Sequence, residues 1–117
     1  MMRVTTTNVD DFLENLRSEP NGSVLQNIVY VSISRNPIDG DKRTAARFAV
    51  TVQASAVVNL PGDEGQYILE YGETVGVDYE DSTKRHTGSD AAAEIKRKII
   101  EHCDDVGLRV RPGIVEP

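Results

Sequence analysis

Hydrophobic and polar residues alternate along residues 43–58 (RTAARFAVTVQASAVV), and this alternation predicts a long β-strand. Apolar side chains occupy every second position from Ala46 to Val58, and mostly polar side chains stand between them. A period of two over this length is typical of a strand with one buried and one solvated face. Such a strand favours an antiparallel sheet over a parallel sheet that is buried on both sides.

Two further segments have the composition of strands. The first runs from about Val24 to Arg35 and the third from about Gln66 to Glu80. Residues 36–41 (NPIDGD) have the composition of a hairpin loop, and Pro61-Gly62 favours a turn before the third strand. The sequence therefore predicts a meander of three strands.

Two glycines and a glutamate interrupt the pattern of the third strand. Glu73 falls among apolar positions between Tyr71 and Val75, so either a β-bulge shifts the register there or Glu73 pairs with a cation, and we favour the bulge. Gly72 and Gly76 would permit the bulge and would leave a strip without side chains on the outer face of the strand. We interpret this strip as a bend in an over-long strand, with a groove for a partner as the alternative.

Amphipathic helices are predicted on both sides of the strands. Thr7 or Asn8 can cap the first helix, and its apolar stripe consists of Val9, Phe12, Leu13 and Leu16. Ser89 or Asp90 can cap the second helix, which ends at Gly107. Its inner stripe consists of Ala92, Ile95, Ile99, Cys103 and Val106.

These elements predict an α+β fold: a three-stranded antiparallel β-meander with two helices packed on one face, in α-β-β-β-α order. Residues 108–110 leave room for a short C-terminal edge strand. We expect one domain over residues 1–117, with flexible tails at 1–6 and 112–117. A strand of about 14 residues spans roughly 45 Å, whereas a helix of about 16 residues spans about 24 Å. Some apolar sheet should therefore extend beyond the helices.

Composition and charge narrow the classes of function. The chain has 117 residues, 38% of them hydrophobic, and no apolar run near the roughly 20 residues that span a bilayer. That absence leads us to expect no membrane partner. The single Cys103 excludes an internal disulfide, so we expect a reducing, cytoplasmic setting. A net charge of −6 disfavours nonspecific binding to nucleic acid. His86, His102 and Cys103 have no familiar zinc spacing, and we expect neither metal nor cofactor.

Carboxylates are the candidates for catalysis. Glu70, Asp78 and Glu80 should share the solvated face of the third strand, which would suit the acid–base chemistry of a small hydrolytic enzyme. Charged residues on a solvated sheet face have the same appearance without catalysis. We favour this second interpretation and expect no catalytic residue.

Two basic clusters, Lys84-Arg85-His86 and Lys96-Arg97-Lys98, stand out from the acidic background. The element order from about Asn8 to Val106 resembles that of the double-stranded RNA-binding domain, in which cations near the start of the last helix contact phosphates. The lysine-rich motif of that family is missing, because this helix begins with Ser89-Asp90 and alanines. Nucleic-acid binding through Lys84, Arg85, Lys96 and Arg97 is therefore the alternative, not the leading hypothesis.

The mismatch between strand and helix lengths favours contact with another protein chain. We expect a small non-catalytic interaction or assembly module, self-associating as a homodimer, such as an accessory protein or a phage or mobile-element protein. The unpaired sheet edges and the hairpin ends would provide the contact surface. The residues predicted for it are Ile38, Val57, Val58, Leu60, Gly72 and Gly76.

Overall fold

The computed structural model describes residues 2–16, 24–38, 47–60, 62, 64–79 and 87–113. The strands are β1 (Met2–Thr6), β2 (Ile28–Ile38), β3 (Arg47–Asn59), β4 (Gln66–Tyr79) and β5 (Arg109–Pro112). The helices are α1 (Val9–Glu14) and α2 (Thr87–Val106), and a 3-10 turn over Leu25–Asn27 precedes β2. The five strands form one sheet in the spatial order β1-β4-β3-β2-β5.

The sheet is mixed, so the predicted three-stranded antiparallel meander is wrong. Strands β2, β3 and β4 do pair antiparallel in that order. However, β1 adds to β4 in parallel, with Val4 opposite Leu69, and β5 adds to β2 in parallel, with Val29 opposite Val110. The sequence pattern misses both edge strands because five and four residues are too few to establish a period of two. Residues 2–6, which we placed in a tail, are the whole of β1.

The two helices pack on the same face of the sheet, which we call the inner face; the opposite face is the outer face. The predicted cap of α1 is confirmed, since the Asn8 side chain accepts a hydrogen bond of 2.8 Å from the Asp10 amide. All four residues of its predicted stripe are buried. Because α1 has only six residues, one short and one long helix cover the sheet instead of two comparable ones.

Helix α2 begins earlier and ends where the sequence predicts. It starts at Thr87, before both predicted caps. At its other end Gly107 has a φ of 78°, and the Leu108 amide donates a 2.7 Å hydrogen bond to the Cys103 carbonyl. This left-handed glycine is a usual way to end a helix, and the predicted C-cap is confirmed. No helix within the described ranges is long and apolar enough to cross a membrane.

The hydrophobic core lies between the inner face and the helices. The central strand β3 contributes every second residue, as predicted: Val50, Val52, Ala54, Ala56 and Val58. The helices contribute their stripes, and the Phe12 ring lies 6.0 Å from the Tyr71 ring, centroid to centroid. The core therefore lies on the inner face of the sheet, and none of its residues covers the outer face.

A β-bulge in β4 reverses the faces of its last residues. Val50 pairs with Gly76 and Thr51 pairs with Thr74, so Val75 has no partner across the ladder. A bulge in β4 is thus confirmed, but its position was predicted wrongly. Glu73 remains in the inner-face register opposite Val52, where it accepts the Tyr71 hydrogen bond. Beyond the bulge, even-numbered residues of β4 point inward, whereas the sequence pattern placed them outward. The bulge brings Gly76 and Asp78 to the inner face, against the start of α2.

Candidate functional site

The outer face of the sheet is the candidate site, because no described element covers it. An apolar row crosses its three central strands. Val57 and Ile68 are direct partners, and strand alternation places Ile28 on the same face, two residues before the Tyr30–Ser55 pair. All three apolar side chains are half-buried, and the Tyr30 side chain is exposed. One end of the outer face is therefore more apolar than a solvated sheet face requires.

A concave trough of about 580 Å³ adjoins this apolar row. Its polar lining includes Thr5, Tyr30, Ser32, Gln53, Ser55 and Glu70. Gly72 also lines the trough, and a Cβ atom added to Gly72 would meet nothing within 4 Å. The trough is therefore open above the sheet at Gly72 and presents hydroxyl and amide groups along its walls.

Arginines stand along the outer face. Strand alternation and pairing place Arg3, Arg47, Arg109 and Arg111 on this face. Glu70 is the only carboxylate that the described strands place there, and it binds Arg3 at 2.9 Å. Arg109 and Arg111 are exposed and form no ion pair with a described residue. The described outer face is thus positively charged in a chain whose net charge is −6.

The opposite side of the molecule is acidic. Helical spacing aligns Asp90, Glu94, Arg97, Glu101 and Asp104 on the side of α2 that faces away from the sheet, and we call these residues the acidic stripe. Arg97 bonds to Glu94 and, at 2.7 Å, to Glu101. These contacts raise the pKa of the Arg97 guanidinium and lower the pKa of the Glu94 carboxyl. The single cation of the stripe is therefore already shared between two of its carboxylates.

The residues predicted for nucleic-acid contact do not form a free basic surface. Lys84 and Arg85 lie outside the described residues. Lys96 is exposed, but Arg97 is held between two carboxylates, and the Lys98 ammonium lies 3.4 Å from Asp10. Two of the three cations on α2 are consequently paired within the chain.

The structure separates the predicted interface residues. Val57 and Gly72 lie on the outer face, and Ile38 and Leu60 are half-buried near strand ends. Val58 belongs to the core, with 1% of its surface exposed. Gly76 faces inward, and a Cβ there would lie 2.8 Å from the Gly88 Cα. Only Val57 and Gly72 of the predicted set therefore lie close to the trough.

The predicted grouping of carboxylates is also wrong. Glu70 lies on the outer face, but the bulge turns Asp78 inward, where it is 1% exposed, and Glu80 lies outside the described residues. The Asp78 carboxylate accepts hydrogen bonds from the Ser89 amide at 2.8 Å and from the Ser89 hydroxyl, and Arg35 lies 3.2 Å away. Asp78 thus satisfies one backbone amide and one hydroxyl at the start of α2.

The remaining reactive or titratable side chains are part of the core or hydrogen-bond to other residues of the fold. Cys103 is fully buried, and burial raises its pKa to about 11. His102 donates from Nε2 to the Leu16 carbonyl oxygen at 3.2 Å. Tyr71 donates to Glu73 at 2.6 Å, and burial together with that carboxylate raises the pKa of the phenol. In the part of the chain that the structure describes, no three His, Cys, Asp or Glu side chains are grouped to hold a metal ion.

Sequence reasoning missed the arginines of the edge strands. Arg109 and Arg111 are two residues apart, the spacing that places two side chains on one face of a strand. That signal was present, but the strand that carries it has only four residues. No protein-family model, curated protein or solved structure matches this chain.

Proposed function

We propose that this protein is a non-catalytic interaction module that self-associates through the outer face of its sheet. The observation that carries the proposal is the layer arrangement. Both described helices pack on the inner face, and the outer face retains the apolar row and the trough without a described covering element. The outer face is polar and charged apart from the apolar row, and this row is the part of it that a second chain would bury.

The size of the outer face suits a protein–protein contact. Strands spaced about 4.8 Å apart, with residues rising about 3.3 Å each, give this face an area of roughly 700 Å². A stable interface of standard size buries about 800 Å² on each partner. The apolar row crosses three strands, and contiguous apolar surface of this kind marks contact sites on soluble proteins.

Equilibrium sedimentation of the purified protein at micromolar concentrations tests the proposal. The wild-type protein is expected to form particles of more than one chain. Val57→Asp and Ile68→Asp place a carboxylate in the apolar row and are expected to reduce the association. Leu25→Asp is the matched control, because Leu25 is a 42% exposed apolar residue in the turn before β2. Circular dichroism melts establish that each variant is folded.

Two results would contradict the proposal. One is a wild-type protein that sediments as a single chain at every concentration. The other is a Leu25→Asp variant that dissociates as far as Val57→Asp, which would show a nonspecific response to an added charge. Val58→Asp is unsuitable for this test because Val58 is part of the core, and the substitution would unfold the protein.

A further inference from the structure

We propose that the copies associate head to tail, with the outer sheet face of one copy receiving the acidic stripe of helix α2 from the next copy. This inference rests on the self-association proposed above and names the two surfaces that meet. It follows from charge, shape and the position of these surfaces on the molecule.

The charges favour a contact between an outer face and an acidic stripe over a contact between two outer faces. Two outer faces packed on each other would bring four arginines from each copy into one interface, with one glutamate from each copy to neutralise them. The acidic stripe instead offers four carboxylates, and its one cation, Arg97, already binds Glu94 and Glu101. Juxtaposed like charges cost binding free energy, and complementary charges also steer association.

The shapes of the two surfaces also match. Helix α2 has 20 residues, which makes it a convex rod about 30 Å long and about 10–12 Å wide. The trough is concave and open, and Gly72 adds no side chain to it, so a helix can approach the strands there. Ile100 flanks the stripe and is 36% exposed, which provides an apolar partner for the row of Ile28, Val57 and Ile68.

The two surfaces are centred on opposite faces of the molecule, which determines the kind of assembly. They approach each other only at the β5 edge, where Ile100 and Asp104 line a pocket with Arg109 and Arg111. Two copies cannot use both surfaces of both chains at once. Each added copy leaves one outer face and one acidic stripe free. Such a heterologous contact produces a ring when its rotation closes and an open filament when it does not. We therefore expect the assembly to exceed two chains.

The test uses two variants that each retain one working surface. Arg109→Glu with Arg111→Glu blocks the outer face, and Glu101→Gln with Asp104→Asn blocks the acidic stripe without giving it a positive charge that the reversed outer face could bind. Each variant alone is expected to sediment as a single chain of 12.9 kDa. An equimolar mixture is expected to form a one-to-one complex that does not grow with concentration. The double variant Lys96→Glu with Lys98→Glu is the matched control for charge. It changes the net charge by the same amount as Arg109→Glu with Arg111→Glu, but it should associate as the wild type does.

Salt provides a second measurement on the wild-type protein. Raising the ionic strength from about 0.1 M to about 1 M shortens the screening length from about 10 Å to about 3 Å. We expect the association constant to fall about tenfold or more over this range, as it does for contacts made by complementary charge. A constant that is unchanged or rises with salt would contradict the inference.

The outcomes separate this inference from the proposed function. Wild-type protein that stops at two chains, together with a mixture of blocked variants that stays monomeric, would overturn the head-to-tail arrangement and leave self-association intact. Wild-type protein that remains a single chain would overturn both. Growth beyond two chains in the wild type, with rescue in the mixture, supports the arrangement. Circular dichroism melts of the blocked variants confirm that loss of association is not loss of fold.

Discussion

Asp78 provides the sharpest test of how the bulge shapes this fold. Its carboxylate is buried on the inner face, where it accepts hydrogen bonds from the amide and the hydroxyl of Ser89. It also forms an ion pair with Arg35. We expect Asp78→Ala to release the start of helix α2 from strand β4. Asp78→Asn should have a smaller effect, because its amide oxygen can still accept from the Ser89 amide.

The magnitude follows from the individual contacts. A hydrogen bond to a charged group contributes about 1.5–3 kcal/mol. The Arg35 contact adds at most about 1 kcal/mol, because the Arg35 side chain is 48% exposed and its charge remains hydrated. The Ser89 donors also regain some water in the variant, since Ser89 lies at the surface. We therefore expect Asp78→Ala to lower the free energy of unfolding by about 3–4 kcal/mol and Asp78→Asn by about 1–2 kcal/mol.

Urea denaturation followed by circular dichroism measures these differences from the transition midpoints, provided that the slope of the free energy against urea concentration is unchanged. Glu70→Ala is the matched control, because Glu70 lies on the same strand but pairs with the exposed Arg3 side chain. It should cost less than about 1 kcal/mol. A loss for Asp78→Ala no larger than that for Glu70→Ala would refute the proposed anchoring role.

Three further predictions concern packing and access. Gly76→Ala should lower the free energy of unfolding by about 1–3 kcal/mol, because its methyl group would lie 2.8 Å from the Gly88 Cα, whereas Gly72→Ala has free space and should melt like the wild type. Ile99→Ala should cost about 2–5 kcal/mol in urea denaturation, whereas Ile100→Ala, at a 36% exposed position, should cost far less. Cys103 should react with a thiol reagent at pH 8 at least about 100-fold more slowly in native protein than in denaturant, because burial raises its pKa to about 11 and keeps the thiolate scarce. Equal melting temperatures of the two glycine variants would contradict the close packing at Gly76. Equal losses of unfolding free energy in the two isoleucine variants would contradict the burial of Ile99, and rapid labelling of the Cys103 thiol in native protein would contradict its burial.

The elements with local signals were predictable. The Asn8 cap, the Gly107 C-cap and the alternation along β3 depend on residues close together in the sequence, and the structure confirms all three. The presence of a bulge in β4 was predictable from Glu73 and its neighbouring glycines, but its position was not, because the extra residue is Val75 and Glu73 stays opposite Val52. These features indicate where elements begin, end and turn.

The arrangement of the edges was not predictable in the same way. Parallel pairing joins segments far apart in the sequence and leaves no local mark in either of them. Missing the edge strands also hid the arginines that they bring to the outer face. The inward turn of Asp78 was not predicted for a different reason. A one-residue bulge exchanges the two faces for every residue that follows it, and the sequence pattern does not fix where that exchange begins.

The pairing of β1 with β4 has a consequence for how the chain is made. Met2 is the partner of Tyr67, so β1 cannot pair with β4 until about 65 further residues have been synthesised. At about 5–20 residues per second, that interval lasts roughly 3–13 s. Throughout it, the segment that will become an edge strand has no ladder to join. Strands β2 and β3 are therefore synthesised before β1 can pair, and the first residues of β4, Tyr67 to Tyr71, are the ones for which β1 waits.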